Sequence, residues 1–219
     1  MQSEIRGNPD YGEVAISLEP GDVVRAVSGA MNWMRGGLSL RGRLMGGVVR
    51  SFARKAFGGS SLFITEYTCE RSAAVALAPT YPGAVTSVRL SGESIFLSPG
   101  SFLAATEGID LRTKFYGMRG LFSGSGPFLI RASGTGEVWF GAFGGLVERT
   151  IDGPFVVDTG HVCAFEPSLD YRIRGAGGVK QTLFSGEGLL LEFSGRGRVH
   201  LQTRNASALA QWTIPYLRG

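Results

Sequence analysis

The chain has 219 residues, of which 34 are glycine and 9 proline, with a formal net charge of +4. That length suits one all-β domain with a real core. Glycine well above the usual ~7% share, with no collagen-like period, excludes fibrous and low-complexity classes and reads as turns and bulges in a strand-rich chain. The modest charge demands no polyanionic partner, and two cysteines, Cys69 and Cys163, make neither a disulfide framework nor a metal-ligand spacing. Both read as small core residues of a reducing compartment.

Taken in chain order, Met1 to Asp10 is polar and mixed in charge, so no secretory signal peptide is predicted. No stretch approaches the ~20 apolar residues that span a bilayer, and the expected location is cytoplasmic. From Gly21 to Gly29 a short strand is closed by a glycine, and the apolar run Ala30 to Trp33 follows. The same arrangement returns at Gly92 to Gly100 with Ser101 to Ala105, and more loosely at Gly153 to Gly160 with His161 to Phe165. A second motif recurs: Phe57-Gly58-Gly59-Ser60-Ser61-Leu62-Phe63, Phe122-Ser123-Gly124-Ser125-Gly126-Pro127-Phe128 and Phe184-Ser185-Gly186-Glu187-Gly188-Leu189-Leu190. Each is an aromatic residue, a small-residue loop and an apolar strand start.

Behind the last two motifs, Ser133-Gly134-Thr135-Gly136 and Ser194-Gly195-Arg196-Gly197 predict tight turns of β-hairpins. The first copy, Ile64 to Leu77, has Cys69-Glu70-Arg71-Ser72 there and is longer. The chain therefore reads as a single domain, 1–219, of three degenerate β units at about 13–83, 84–148 and 149–212. Each unit cannot cover its own apolar face, and three together close a shared core. The predicted fold class is all-β, a glycine-rich sandwich or barrel-like pseudo-three-fold assembly with one short amphipathic helix.

That helix is expected between Arg43 and Phe57. Leu44, Met45, Val48, Val49, Phe52 and Ala56 fall on one face and Arg43, Arg50 and Arg54 on the other, although Gly46 and Gly47 weaken its first turn. A shorter tail helix is predicted from Ser207 to Trp212. The first helix lies in a basic segment: from Val23 to Thr65 there is no acidic residue. Arg35, Arg41, Arg43, Arg50, Arg54 and Lys55 are the candidate contacts to an anionic membrane surface, or to phosphates of RNA. The plainer reading is that the apolar face packs on the core or on a neighbouring subunit.

Gly58-Gly59-Ser60-Ser61-Leu62-Phe63, Leu77-Ala78-Pro79-Thr80-Tyr81-Pro82-Gly83 and Asp158 to Ser168 resemble the altered-inheritance-of-mitochondria-24 family, over roughly Glu13 to Trp212. The resemblance implies a fold similar to the ring-forming tryptophan RNA-binding attenuation protein, and it carries over no catalytic residues. Ser60 departs from the family pattern, which usually has an acidic residue after the Gly-Gly pair.

The residues themselves point away from catalysis. His161 and His200 are the only histidines, with no His-x-His pair. A metal site would rest on His161 and Glu166 alone, short of a ligand set. A Cys163–His161 dyad lacks an orienting acid, and no nucleophile elbow or phosphate loop precedes a helix. No enzyme activity, cofactor or metal is therefore expected. The leading reading is a non-enzymatic homo-oligomeric scaffold or interaction protein, with a peripheral membrane surface as a candidate partner. The alternatives are an RNA-binding regulator and a small-molecule or metal-binding β-barrel.

Overall fold

The computed structural model describes residues 1–45, 63–115, 128–175 and 189–217. Fifteen strands and one α-helix occupy them. β1 (Gln2–Arg6) pairs antiparallel with β2 (Glu13–Leu18), whose alternating burial puts Val14, Ile16 and Leu18 into the core. There follow β3 (Val23–Val27), β4 (Met31–Leu44), β5 (Phe63–Leu77), β6 (Val85–Leu97), β7 (Phe102–Thr106), β8 (Ile109–Phe115) and β9 (Phe128–Gly141). The chain continues with β10 (Leu146–Asp152), β11 (Phe155–Asp158), β12 (Val162–Phe165), β13 (Asp170–Gly175), β14 (Leu189–Ser194) and β15 (Arg196–Gln202). It ends in α1 (Ala206–Leu217). The strands form one 12-stranded sheet and a separate three-stranded sheet ordered β11-β14-β13. Among the described residues there is no closed barrel.

Long strands organise the pairing. The second half of β5 lies between β2 and the head of β4, and its first half between β3 and the tail of β4. β9 is flanked in the same way: by the start of β6 and β7, then by the end of β6 and β8. β15 lies between β10 and β12, and β14 between β11 and β13. Even the irregularities correspond. A bulge sits between Met31 and Trp33, between Phe102 and Ala104, and between Val162 and Ala164. Two further pairings join the groups, β3 to β7 and the end of β6 to β12.

Two expectations are corrected. The segments around Ser133-Gly134-Thr135-Gly136 and Ser194-Gly195-Arg196-Gly197 are not hairpin turns. β9 runs unbroken through the first, and only Gly195 separates β14 from β15 in the second. The glycines serve close approach instead: at Gly134 and Gly136 (φ +125° and +154°) a Cβ would run into the Gly108 carbonyl oxygen and the Thr106 hydroxyl. The helix expected from Arg43 does not begin there, because Arg43 and Leu44 extend β4 and pair with Ile64 and Phe63. Met45 follows as a buried turn residue, and from Gly46 on that helix lies outside the described residues, as do Arg50, Arg54 and Lys55. So do the motif residues 57–62, 122–127 and 184–188.

The tail helix is present and longer than expected. Asn205 caps it, its side-chain oxygen accepting from the Ser207 and Ala208 amides at 2.9 and 3.4 Å. It continues past Trp212 through Pro215 to Leu217. Among the described residues no helix is long and apolar enough to cross a membrane.

Buried apolar side chains fall into three clusters. The third is aromatic at its centre, where Phe165 meets Phe96, Tyr171 and Phe193 at ring-centroid distances of 5.2, 5.1 and 5.0 Å. These packed sheets fix the faces on which the candidate groups stand.

Candidate functional site

Of the candidate cations of the basic segment, Arg35, Arg41 and Arg43 are carried by β4. Arg35 and Arg41 are exposed. Arg43 is held by Glu66 at 2.8 Å, and Arg25 reaches the same carboxylate at 3.2 Å. Glu66 is buried, and two guanidiniums offset the cost of desolvating it. Arg43 is therefore paired although its side chain stays exposed, and of the six candidate cations Arg35, Arg41 and Arg43 are described, with Arg35 and Arg41 in no ion pair among the described residues.

The histidines and cysteines are likewise engaged. Gln202 gathers three groups: its carbonyl oxygen lies 2.8 Å from His161 Nδ1, its side-chain oxygen 3.6 Å from Cys163 Sγ, and its Nε2 donates to the Gly160 carbonyl at 2.8 Å. His161 and Cys163 are thus bound to Gln202 rather than to each other. Burial pushes the Cys163 thiol up to about 12, and burial also raises Cys69. Neither is poised as a nucleophile. Both thiols are expected to stay unreactive toward an aromatic disulfide reagent in the native protein and to react fully in denaturant. Rapid native labelling of Cys163 would contradict this burial.

Glu166 does not join His161. Its carboxylate takes Arg198 Nε at 2.6 Å and the Arg198 amide at 2.9 Å. Among the described residues no three His, Cys, Asp or Glu side chains are placed to hold a metal ion. A cleft of about 320 Å³ beside this pair is lined by Arg89, Glu93, Glu166, Arg198 and His200. Its polar groups are mostly spoken for: Arg89 lies 3.6 Å from Glu137, and Glu93 accepts from the Ser91 amide at 2.5 Å.

His200, against the Phe140 ring at 5.2 Å and 3.6 Å from Glu148, has its pKa lowered by burial, with Glu148 pulling the other way. The net direction leaves the ring neutral at pH 7, so the Glu148 contact is not an ion pair there. Below the unfolded histidine pKa of ~6.5 the unfolded chain takes up a proton that the folded one resists. Stability is therefore expected to fall as pH drops from about 7 toward 5. Denaturant midpoints across that range should slope less for His200→Gln than for the wild type. Equal slopes would remove His200 as the cause.

Among the described residues, large apolar side chains also stand in solvent. No residue of α1 is buried, and Leu209, Trp212, Ile214, Tyr216 and Leu217 are exposed, with Trp212 and Tyr216 in ring contact at 5.4 Å. The head of β4 exposes Met31, Trp33 and Met34. Trp33, in an apolar run, and Trp212, at the end of the predicted helix, both stand in solvent, and Pro215 lies inside the last turn of α1.

A family model described as "Mitochondrial biogenesis AIM24" matches residues 3–204. An uncharacterised protein of Streptococcus pyogenes serotype M6 is 30% identical over 226 residues, covering 99% of this chain and 91% of that protein. The crystal structure of a Streptococcus pyogenes protein superposes with a TM-score of 0.83 at 27% identity, covering 98% of this chain and 99% of the other.

Proposed function

This chain belongs to the mitochondrial biogenesis AIM24 family, and we propose that it is a non-catalytic scaffold that self-associates and attaches peripherally to anionic membrane surfaces. The observation that supports this reading is α1. Its twelve residues carry no charge, and Trp212, Tyr216, Leu209 and Leu217 project into solvent. Indole and phenol rings with an apolar body and a polar tip favour the headgroup boundary of a bilayer. Arg35 and Arg41 on β4 add cations that anionic lipid attracts. The groups that chemistry would use, Cys163, His161, Glu166 and Glu66, are buried or paired.

Vesicle flotation tests the membrane part. Wild-type protein is expected to rise with phosphatidylserine-containing vesicles, and Trp212→Ser with Tyr216→Ser to stay at the bottom. Wild-type protein that stays at the bottom at low salt would end the membrane reading. Self-association is tested separately, by light scattering without lipid, and a strictly monomeric protein would end that part. The nucleic-acid alternative has Arg43 engaged by Glu66, and Trp33 is the one aromatic residue that β4 carries beside Arg35 and Arg41. A raised 260 nm absorbance that salt removes during purification would favour it over the membrane.

A further inference from the structure

The end of β12 leaves a gap in the large sheet. β12 stops at Phe165, which still pairs with Phe96 of β6 and Val199 of β15. Pro167 has no amide hydrogen with which to continue that ladder. The chain turns away there, with the Leu169 amide donating to the Glu166 carbonyl at 3.2 Å. β6 and β15 both run on past this point. Between them, beside Glu166, opens the cleft of about 320 Å³, at the small end of the ~300–1,000 Å³ that ligand pockets span.

His200 lines this cleft and is only 5% exposed. Glu148 on β10 comes no closer to it than 3.6 Å, and the ring makes no hydrogen bond among the described residues. Buried polar side chains are almost always hydrogen-bonded. This imidazole therefore has bonding capacity that the described residues do not use.

The neighbouring groups say what would use it. Both carboxylates of the cleft are engaged: Glu166 by the Arg198 Nε and amide, Glu93 by the Ser91 amide. Donors are in surplus. The two outer nitrogens of Arg198 have no partner among the described residues. Arg89 lies 3.6 Å from Glu137, beyond hydrogen-bond reach, with its side chain 81% exposed. Guanidiniums with free N–H groups select carboxylates and phosphates. Glu93, Glu166 and Glu148 nearby oppose a second negative charge, which favours a monoanion. The walls between these groups are aliphatic: Val88, Leu90, Ile95 and Pro167.

We propose that the cleft between β6 and β15 binds a small aliphatic carboxylate. Its charged end is shared by Arg89 and Arg198, a ring N–H of His200 donates to it, and its hydrocarbon body lies against Val88, Leu90 and Ile95. The site needs neither the membrane contact nor the self-association of the reading above, so it stands or falls apart from them.

Because the chain has only two histidines, their imidazole carbon–proton NMR signals report on the site directly. The signals are assigned with His161→Gln and His200→Gln, then followed in the full chain near neutral pH while isocaproate is added. Those of His200 are expected to shift and saturate in the millimolar range, and those of His161 to stay. Isocaproamide keeps the shape without the charge, and acetate keeps the charge without the hydrocarbon. Each should bind at least about tenfold more weakly, the worth of one charge-assisted hydrogen bond or two buried methylenes. Arg89→Gln and Arg198→Gln should each weaken isocaproate by about tenfold as well. Arg89 is exposed, so its replacement tests the site without disturbing the packing.

His200 signals that stay in place, or that respond equally to the amide, would overturn the proposal. So would Arg89→Gln and Arg198→Gln proteins that both bind isocaproate like the wild type. Inorganic phosphate that binds more tightly than isocaproate would make this a bare anion site and overturn the proposal too.

Discussion

Phe165→Ala is expected to lower stability by about 3–5 kcal/mol, the usual cost of deleting a fully buried phenyl ring. The residue is fully buried at the end of β12, and its ring touches Phe96, Tyr171 and Phe193 at centroid distances of 5.0 to 5.2 Å. Those rings come from β6, β13 and β14, so the cavity would open where the two sheets meet. Collapse around it is hindered because Phe96 and Phe193 are anchored by strand pairing on their own sheets. For a chain of this length the loss corresponds to a fall in Tm on the order of 10 °C. The check is a thermal melt beside Phe165→Leu, which keeps most of the volume and should lose less than half as much. Equal melts for the wild type and the alanine variant would show that this cluster does not hold the sheets together.

Gly83→Ala is expected to be the most damaging exchange of a single methyl group. Gly83 has φ +155° and forms a parallel bridge with Gly144, linking the segment before β6 to the segment before β10. A Cβ there would run into the Ala142 carbonyl oxygen, with the Gly144 amide nitrogen and carbonyl oxygen 2.5 Å away. These are backbone atoms and cannot swing aside as a side-chain tip does. They are also tied by the bonds from Ala84 to Gly144, Ala142 to Ala84 and Gly144 to Pro82, at 3.0, 2.8 and 2.9 Å. Combined steric and dihedral strain places the loss at about 3 kcal/mol or more. Gly29→Ala is the comparison. It also has positive φ (+92°), but a Cβ there meets nothing within 4 Å, so only the dihedral term remains. Chemical denaturation should rank Gly83→Ala well below Gly29→Ala. The opposite order would mean that the bridge yields easily.

The all-β class was legible from composition and patterning, because frequent glycines between short β-branched and aromatic runs leave few other ways to bury 43% hydrophobic residues. The short strand, closing glycine and following apolar run were legible too: Val23 to Val27, Gly29 and the head of β4 lie where the spacing put them. So was the tail helix from Ser207 to Trp212, while its Asn205 cap and its extension to Leu217 came only with the structure. The hairpin turns at Gly134 and Gly195 were misread, since glycine permits a tight turn and a close backbone crossing alike. Which one occurs depends on the strand lying opposite. The helix from Arg43 failed at its start for a related reason. Arg43 and Leu44 satisfy a helical period, but β5 supplies a ladder partner for each, and pairing outweighs a weak local preference.

For the candidate site the same division holds. Residue types alone argued against a histidine metal centre and a cysteine nucleophile, because the side chains needed for either chemistry are too few. Which cations are paired was decided by tertiary structure, since Glu66 draws in Arg25 and Arg43 from strands on either side of β5. Exposure of Met31, Trp33, Met34 and Val156 was also decided there. In sequence these residues match buried strands elsewhere in the chain. Only the pairing of distant strands shows that these side chains stand in solvent, because burial belongs to a pair of strands and a sequence pattern describes only one.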